Sequence, residues 1–525
     1  MTAAEKRVHR GYAFGIGWTA FAMVFSNLFM SWGAMALVMA WGHDRWVLGP
    51  LFKGRDRSFI QGSTVLLAVV ALMGWLILGL GWSEDLSNGL NQLRIKLPLL
   101  VFPLILLTGR WDRKALMQWL PYWYAAMVGL GCAAAWLAGW LGNATSDARS
   151  WSPFISHIRF SLMIATAWGW MGAIWLHKTP SHAQRLAGWM WSMLTLLGGL
   201  FIYQTATLTG IFLLPIVGMA LVWWAGLETK GWSPKGTHQL LLGTGLTLML
   251  GLGGVMWELR PVWPNLSEFP THSASGEAYV HHPDRCLREN DHHIWMNIAW
   301  NELQTAWNER SEIPFYGQNA RGLPVRMTLI RYMTSLGLNK DRLGMEALSE
   351  TDIQRIESGV PSILNLEHHG LMRRLDILKF ESDAMWSGIA PSGQSLMQRF
   401  VYWKTGWYIF LQSPAWGMGT GDLDLAFARA YHENDRGLLQ PYRLRAHNQF
   451  LSFALAGGPV GVMLFFSLFF ALIAVSRRQS EGLWTTMTLL FVLVFFLSCW
   501  SEDTLETQAG VTWAGLFIGL LGRRL

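Results

Sequence analysis

The stretch RLRAHNQFLSFALAGGPVGVMLFF, residues 443–466, joins a basic segment that contains a histidine directly to an apolar segment. His447, Asn448 and Gln449 stand immediately before the apolar run. A helix needs roughly 20 apolar residues to cross the hydrocarbon core of a bilayer. The stretch therefore predicts polar chemistry at the mouth of a membrane-spanning helix.

The composition supports a membrane location for the whole chain of 525 residues. It is 52% hydrophobic and 14% charged, and apolar runs recur between short charged segments, which is typical of a polytopic membrane protein. Many of the 32 Trp lie near the ends of these runs, as expected for interfacial anchors. No basic stripe with interleaved aromatic residues occurs, so the net charge of +7 does not indicate a nucleic-acid partner.

The first apolar run, residues 11–42, is too long for one ordinary span and just long enough for two. Basic residues flank it on both sides, and the positive-inside rule places both flanks in the cytoplasm. The run must therefore cross the membrane outward and then back. This predicts two short helices with a break near Ser26 and Asn27.

The same reasoning, applied along the chain, predicts an all-α fold with about 12 transmembrane helices and both termini in the cytoplasm. Residues 1–257 carry spans one to nine, and residues 446–525 carry spans ten to twelve. Residues 258–445 are too many for an ordinary loop and predict a large structured domain outside the cytoplasm.

This domain is predicted to be mainly helical. In TDIQRIESGV, residues 351–360, Thr351 is the predicted N-cap of a helix that ends at Gly359. Residues 395–414 predict an amphipathic, aromatic helix on the membrane face, and the glycine-rich WGMGTGDLD that follows predicts a turn.

His447 is the first candidate for chemistry, because an imidazole near neutral pH can accept a proton from a hydroxyl group. Arg443 and Arg445 stand beside it, and guanidinium groups bind phosphate oxygens in a bidentate manner. The alternatives are a histidine that only packs and arginines that only bind anionic lipid headgroups.

Two further arginines are candidates. Arg399, at the start of the amphipathic helix, either anchors that helix at the interface or binds a ligand. Arg159 stands at the outer entry of span six, where an ionisable group is costly and is more often functional. Span four carries two more basic residues at its outer end, Arg94 and Lys96. They either add to the group of basic residues at the outer face or serve only as interfacial residues.

Neither a metal nor any other cofactor is predicted. Histidines occur as adjacent pairs, whose side chains point in different directions, and no HExxH or CxxC spacing is present. The chain has only 3 Cys, too few for a disulfide framework.

The segment RAHNQFLSFALAGGPVGVMLFF resembles the HNxxLxxxxxxGxxG signature of the O-antigen ligase and polymerase superfamily, bacterial inner-membrane glycosyltransferases. SPAWGMGTGD resembles the glycine turn upstream of that histidine. Residues 327–359 are similar to the periplasmic segment of long members of the Bacteroidetes type. The resemblance implies that the large domain is periplasmic.

The resemblance also implies roles for individual residues. His447 matches the histidine thought to activate the acceptor hydroxyl, and Arg399 matches the arginine expected to hold pyrophosphate. The remaining predicted substrate-binding residues are Arg445, Arg443, Arg159, Asn448 and Gln449. Family members often carry a cation at the start of the span before the large loop, where this chain has Thr207 and Leu208. We expect Arg159 to replace that cation.

The resemblance implies transfer of a glycan from undecaprenyl pyrophosphate to an acceptor, without metal or nucleotide, at the periplasmic face of the inner membrane. Membrane lipids are the other expected partners. The leading prediction is an O-antigen ligase acting on lipid A-core. A polymerase of O-antigen or exopolysaccharide and a protein O-oligosaccharyltransferase are alternatives with the same motif. A lipid or polysaccharide transporter is the alternative from another class, but it would place ionisable residues in mid-membrane.

Overall fold

The structure is a computed structural model that describes residues 2–49, 57–141, 148–177, 182–228, 234–389, 394–434, 437–478 and 482–523. The first part of the chain consists of long helices. These are α1 (Ala3–Phe25), α2 (Asn27–Leu48), α3 (Arg57–Leu78), α4 (Leu86–Thr108), α5 (Arg113–Leu141), α6 (His157–Leu176), α7 (His182–Thr205), α8 (Leu208–Glu228) and α9 (Pro234–Glu258).

The predicted break in the first apolar run is confirmed. α1 ends at Phe25, Ser26 has an extended backbone with φ −164° and ψ 129°, and α2 begins at Asn27. A single extended residue interrupts the helical hydrogen bonding and lets the two helices pack against each other. The run therefore forms two helices.

The middle of the chain is mainly helical, as predicted. Two very short strands, β1 (Arg288–Glu289) and β2 (His292–His293), form an antiparallel pair. The helices are α10 (Trp300–Arg310), α11 (Val325–Ser335), α12 (Arg342–Glu346), α13 (Glu350–Glu357), α14 (Leu364–Glu367), α15 (Gly370–Trp386), α16 (Ser395–Gln412) and α17 (Leu423–Glu433). The glycine-rich segment between α16 and α17 is a loop, as predicted.

The predicted N-cap of α13 is wrong by two residues. Ser349, not Thr351, caps the helix: its hydroxyl accepts from the Asp352 amide, and the Asp352 carboxylate accepts from the Ser349 amide. This reciprocal capping box satisfies two amides at once, which Thr351 cannot do. The helix ends at Glu357, two residues before the predicted stop signal Gly359, which has φ +85°.

The chain closes with α18 (Gln449–Ser476), α19 (Gly482–Ser501) and α20 (Gln508–Leu521), with a short 3-10 turn, Thr504–Glu506, between the last two. The segment that connects α19 to α20, residues 502–507, is called the acidic loop below.

Within the described residues, 6 helices are long and apolar enough to cross a membrane. They are Thr64–Trp82, Leu86–Thr108, Arg113–Leu141, His182–Thr205, Gln449–Ser476 and Gly482–Ser501. Leu208–Trp224 and Gln508–Leu521 are shorter apolar helices. The chain is thus a helical, multi-pass membrane protein, and the number of about 12 spans stays a prediction.

The chain forms two compact units. The first comprises Met1–Gly245, Tyr402–Asp435 and Arg443–Leu525, and the second Leu246–Val401 and Arg436–Tyr442. In the first unit, α18 packs against α3 and α19, α20 packs against α4, and α6 packs against α7, α8 and α19. The second unit has its own apolar core around α10, α11 and α13.

Candidate functional site

His447 lies just before α18, in the first unit. Its backbone has φ +46°, a left-handed conformation that costs a non-glycine residue roughly 1 kcal/mol. Asn448 is the N-cap of α18: its Oδ1 accepts from the Leu451 amide at 3.0 Å, and its Nδ2 donates to the Trp500 carbonyl at 3.0 Å. Asn448 thereby ties the start of α18 to the end of α19 and fixes where His447 stands.

Glu502, in the acidic loop, is the carboxylate next to His447. The distance from His447 Nδ1 to Glu502 Oε2 is 3.8 Å. Glu502 is 5% exposed, whereas the His447 side chain is 35% exposed. Glu502 is thus a buried carboxylate placed beside the imidazole, in the position of the acidic partner of a general base.

Arg159 approaches the same carboxylate from α6. Its Nη1 is 3.6 Å from Glu502 Oε2, its Nε donates to Thr507 Oγ1 at 3.1 Å, and its Nη2 donates to the Asp503 carbonyl at 3.1 Å. The side chain is 7% exposed. The structure thus brings Arg159 and His447 to the same oxygen of one carboxylate.

The threonine at the position of the missing family cation lies close to α6. Thr207 Oγ1 is 3.1 Å from the hydroxyl of Ser161, two residues after Arg159, and 2.9 Å from the hydroxyl of Thr205. Thr207, where the family cation is missing, and Arg159, which is expected to replace it, therefore lie in the same part of the first unit.

Glu506 is the centre of a second group of charges. Lys96 Nζ donates to Glu506 Oε2 at 2.7 Å, and Arg445 Nη1 is 3.9 Å from the same oxygen. Burial raises the pKa of Glu506, but the charges of Lys96 and Arg445, with hydrogen bonds from Lys96 and Gln449, hold it below its usual value. Glu506 is therefore an ionised carboxylate that holds two cations in place.

Arg445 also pairs with Asp424 of α17, at 3.0 Å from its Nε. Its side chain is 26% exposed, so the guanidinium is held by two carboxylates and still reaches solvent. A narrow cleft beside it is lined by Leu76, Gln92, Lys96, Thr420, Leu423, Arg445, Ser452, Phe453, Ala456 and Glu506. Two cations therefore face one cleft.

Gln449 connects α18 to the acidic loop at both ends of its amide. Its Oε1 accepts from the Leu505 amide at 2.7 Å, and its Nε2 donates to Glu506 Oε1 at 3.3 Å. The residue is fully buried. It positions the loop, and its predicted contact with substrate stays a prediction.

Asp503 completes the acidic loop. Its Oδ1 accepts from the Ser452 hydroxyl at 2.6 Å. Burial, followed by the charge of Glu506, raises the pKa of Asp503, against the Ser452 hydrogen bond and the charges of His447 and Arg445.

The other two arginines predicted for the site are Arg443 and Arg399. Arg443 is exposed. Arg399 is half-buried on the part of α16 that belongs to the second unit. Burial and the charge of Arg399 lower the pKa of Arg374 on α15, so the two guanidinium groups are neighbours. Their predicted roles in binding stay predictions.

The aromatic neighbour of His447 is Tyr402, which belongs to the first unit. The ring centroids are 5.6 Å apart and the ring planes are tilted by 36°. Tyr402 is buried, so it limits the movement of the imidazole on one side.

A kink in α18 follows His447 by about three turns. Gly457 and Gly458 have non-helical backbone angles there, and Gly458 has φ +61°. The glycine-rich loop after α16 packs against the kink: the Met418 and Gly419 amides donate to the carbonyls of α18 at 2.7 and 3.2 Å. A Cβ on Gly458 would lie 2.3 Å from the Ala415 carbonyl oxygen.

The sequence analysis missed Glu502, Asp503 and Glu506 as parts of the site. They occur in SEDTLETQ, which reads only as an external connection between two apolar helices. The available signal was that so short a connection contains several acidic residues. Carboxylates at a membrane interface need nearby cations, which points to contacts with basic residues of the site. Among the described residues, no group of three or more His, Cys, Asp or Glu is placed to hold a metal ion.

The fold and this arrangement define a multi-pass membrane protein with a polar network at the ends of its helices. Residues 369–466 match the family described as O-antigen ligase. The match places this part of the chain in that family, and the predicted membership of the O-antigen ligase and polymerase superfamily is confirmed. It supports an enzyme of the membrane glycosyltransferase type. The chain matches no curated protein.

The match contains His447, Arg399 and the other candidates between them. Arg159, Lys96 and the acidic loop lie outside residues 369–466. Glu502, the carboxylate beside His447, therefore lies outside the part of the chain that the family match covers.

Proposed function

We propose that this protein transfers a glycan from undecaprenyl pyrophosphate to a hydroxyl group of an acceptor, at the periplasmic face of the inner membrane. The observation that carries the proposal is the contact between His447 and the buried Glu502, in a chain whose residues 369–466 match the O-antigen ligase family.

In the proposed reaction, the acceptor oxygen attacks the anomeric carbon of the donor. His447 takes the proton of the acceptor hydroxyl, and Glu502 stabilises the imidazolium that forms. The bond between the anomeric carbon and the pyrophosphate oxygen breaks, and undecaprenyl pyrophosphate leaves with the electron pair. The step consumes no oxidant, metal or nucleotide.

Cationic groups stabilise the departing pyrophosphate in this proposal. Arg445 and Arg443 reach solvent beside His447 and are proposed to bind the pyrophosphate. Arg399, on α16, is proposed to bind it as well. Arg159 is proposed to supply the cation that is missing at Thr207, because its Nη1 makes no hydrogen bond to the described residues. Such fixed charges act where negative charge develops in the transition state.

The proposed acceptor is lipid A-core, which makes the protein an O-antigen ligase. A polymerase or a protein O-oligosaccharyltransferase would use the same base and the same donor. Analysis of lipopolysaccharide from a deletion strain distinguishes them: loss of all polymer-capped chains with accumulation of lipid-linked polymer indicates a ligase. Capping by single repeats indicates a polymerase, and unchanged lipopolysaccharide with unglycosylated periplasmic protein indicates the protein transferase.

The role of His447 is tested by His447→Ala in a complementation assay at wild-type expression. Transfer should fall by about 100- to 10,000-fold, the usual contribution of a general base. His432→Ala is the matched control, since His432 is exposed on α17 of the same unit. Wild-type transfer by His447→Ala would refute the assignment.

Arg399→Ala tests the pyrophosphate role, with Lys404→Ala as its control on an exposed position of the same helix. We expect Arg399→Ala to lose transfer and Lys404→Ala to keep it. Equal activity of the two variants would remove Arg399 from the proposed site.

A further inference from the structure

Arg113, the first residue of α5, is a buried guanidinium for which the described part of the chain supplies no hydrogen-bond partner. Its relative exposure is 7%, and among the described residues none of its three side-chain nitrogens has a hydrogen-bond partner. An arginine carries five N–H donors, and a buried charge without a partner costs several kcal/mol. A cation in this position needs an anion.

The neighbouring charges do not supply one. Arg523, which follows α20, repels the Arg113 guanidinium electrostatically and donates from Nη1 to the Gly109 carbonyl at 2.9 Å. Asp112 precedes Arg113, but its carboxylate accepts from the Ala115 amide at 2.9 Å as a cap of α5. The site therefore has two guanidinium groups, and the carboxylate of the preceding residue is engaged with backbone.

Two other arginines on this side, Arg110 and Arg45, have a carboxylate partner. Arg110 Nε is 2.9 Å from Asp44 Oδ1, and Arg110 donates further to the carbonyls of Leu48 and Gly49. Arg45 lies 3.7 Å from Asp44 Oδ2 and donates to the Thr108 carbonyl at 2.6 Å. Asp44 is fully buried and is occupied by these two arginines, so it is not available to Arg113.

The depth of Arg113 fits the phosphate layer of a bilayer. α5 contains 29 residues and is about 43 Å long at 1.5 Å per residue. A bilayer has a hydrocarbon core of roughly 30 Å and measures about 40–45 Å with its headgroups. A membrane-spanning helix of this length has its first turn at headgroup level, which is where we place Arg113.

We propose that Arg113 and Arg523 form an anion site that binds a phosphate group, held in the membrane by the headgroup of an anionic phospholipid. The guanidinium of Arg113 donates to the phosphate oxygens, which neutralises its buried charge. The site is separate from the His447 site and does not depend on the proposed function.

The test compares Arg113→Met with wild type in delipidated detergent, by thermal unfolding followed through Trp fluorescence. Without lipid, Arg113→Met should unfold at the same or a higher temperature, because removing an unpartnered buried charge does not destabilise the fold. Added phosphatidylglycerol should raise the unfolding temperature of wild type through binding to the folded state, and should leave Arg113→Met unchanged. Native mass spectrometry of the same samples should show one retained lipid fewer in the variant.

Arg10→Met is the matched control, since Arg10 is an exposed arginine on α1 whose loss changes the net charge equally. It should respond to phosphatidylglycerol as wild type does. An Arg113-dependent response to millimolar inorganic phosphate alone would identify free phosphate as the ligand and still support the site. Equal responses of wild type and Arg113→Met to both ligands would overturn the proposal, and so would a lower unfolding temperature of Arg113→Met without ligand.

Discussion

Glu502 lies between the two side chains to which the sequence analysis gave separate roles. Its Oε2 atom is 3.8 Å from His447 Nδ1 and 3.6 Å from Arg159 Nη1. One buried carboxylate can thus orient the proposed base and hold the proposed cation of span six. The three residues come from chain segments that are more than forty residues apart in sequence, so only folding brings them together.

Replacement of Glu502 by Gln should lower the rate of glycan transfer by about 10- to 1000-fold with little loss of folded protein. The amide keeps the shape of the side chain but cannot stabilise an imidazolium or pair with Arg159. The measurement is single-turnover transfer at saturating acceptor. Glu84→Gln is the control, because Glu84 is an exposed carboxylate paired only with Arg429 at the surface; a similar loss in both variants would argue against a specific role.

The two other carboxylates of the acidic loop should respond to pH with opposite signs. The pKa of Glu506 is lowered, so ionised Glu506 stabilises the fold at pH values above the usual carboxyl pKa. This stabilisation is lost as the pH falls through the lowered pKa. The pKa of Asp503 is raised, so protonated Asp503 contributes favourably to the stability of the fold at acid pH. This contribution is lost as the pH rises through the raised pKa.

We therefore expect Glu506→Gln to destabilise the protein at neutral pH by about 3 kcal/mol, as for a buried ion pair that loses one partner. The loss should shrink at acid pH. Asp503→Asn should stabilise the protein at neutral pH, and this gain should also shrink at acid pH. Unfolding temperatures of both variants across a pH series check the prediction, and two variants with the same sign would contradict it.

At the scale of elements, the kink of α18 connects the site to the glycine-rich loop. Trp75 of α3 donates from Nε1 to the Gly457 carbonyl at 2.9 Å, and the loop after α16 donates two amides to the same region. The kink exposes carbonyls that a straight helix would use internally, and these three donors satisfy them. The helix that begins at Asn448 is thereby fixed at both its start and its bend.

Gly458→Ala should abolish transfer and lower the yield of folded protein. An alanine would have to keep φ +61°, with its Cβ 2.3 Å from the Ala415 carbonyl oxygen. Gly74→Ala in α3 is the control, because its Cβ would meet nothing within 4 Å. The checks are transfer activity and the size-exclusion profile in detergent. Full activity of Gly458→Ala would show that the kink is dispensable.

At the scale of the molecule, the chain forms two compact units that α9 and α16 share as continuous helices. The second unit, with its own apolar core, contains most of the predicted extracytoplasmic region. The placement of the termini and of this region relative to the membrane rests on the distribution of Lys and Arg.

Cysteine labelling tests that topology. The native Cys132, Cys286 and Cys499 are buried, so an introduced cysteine should dominate the reaction with a membrane-impermeant maleimide. In spheroplasts, Ala274→Cys should react, whereas Lys6→Cys should react only after the membrane is opened. Both positions are exposed. Reaction of Lys6→Cys in intact spheroplasts would reverse the predicted orientation.

Local patterns in the sequence are sufficient to predict the helical membrane class, the break at Ser26, the turn before α17 and the superfamily. Apolar length, charge at helix ends, glycine spacing and the HNxxL motif are all properties of contiguous residues. The sequence prediction misplaced the N-cap of α13, because Ser349 and Thr351 are both suitable caps and only the reciprocal bond to Asp352 selects one.

Which charged side chains come into contact depends on the packing of the folded chain. His447 faces Glu502, Lys96 and Arg445 share Glu506, and the Arg113 guanidinium has no hydrogen-bond partner among the described residues. Helix packing sets these distances, and the interaction between charges in a partly buried site depends on a few ångströms. Residue spacing along the chain carries no such information, so the base could be predicted from its motif and its carboxylate partner could not.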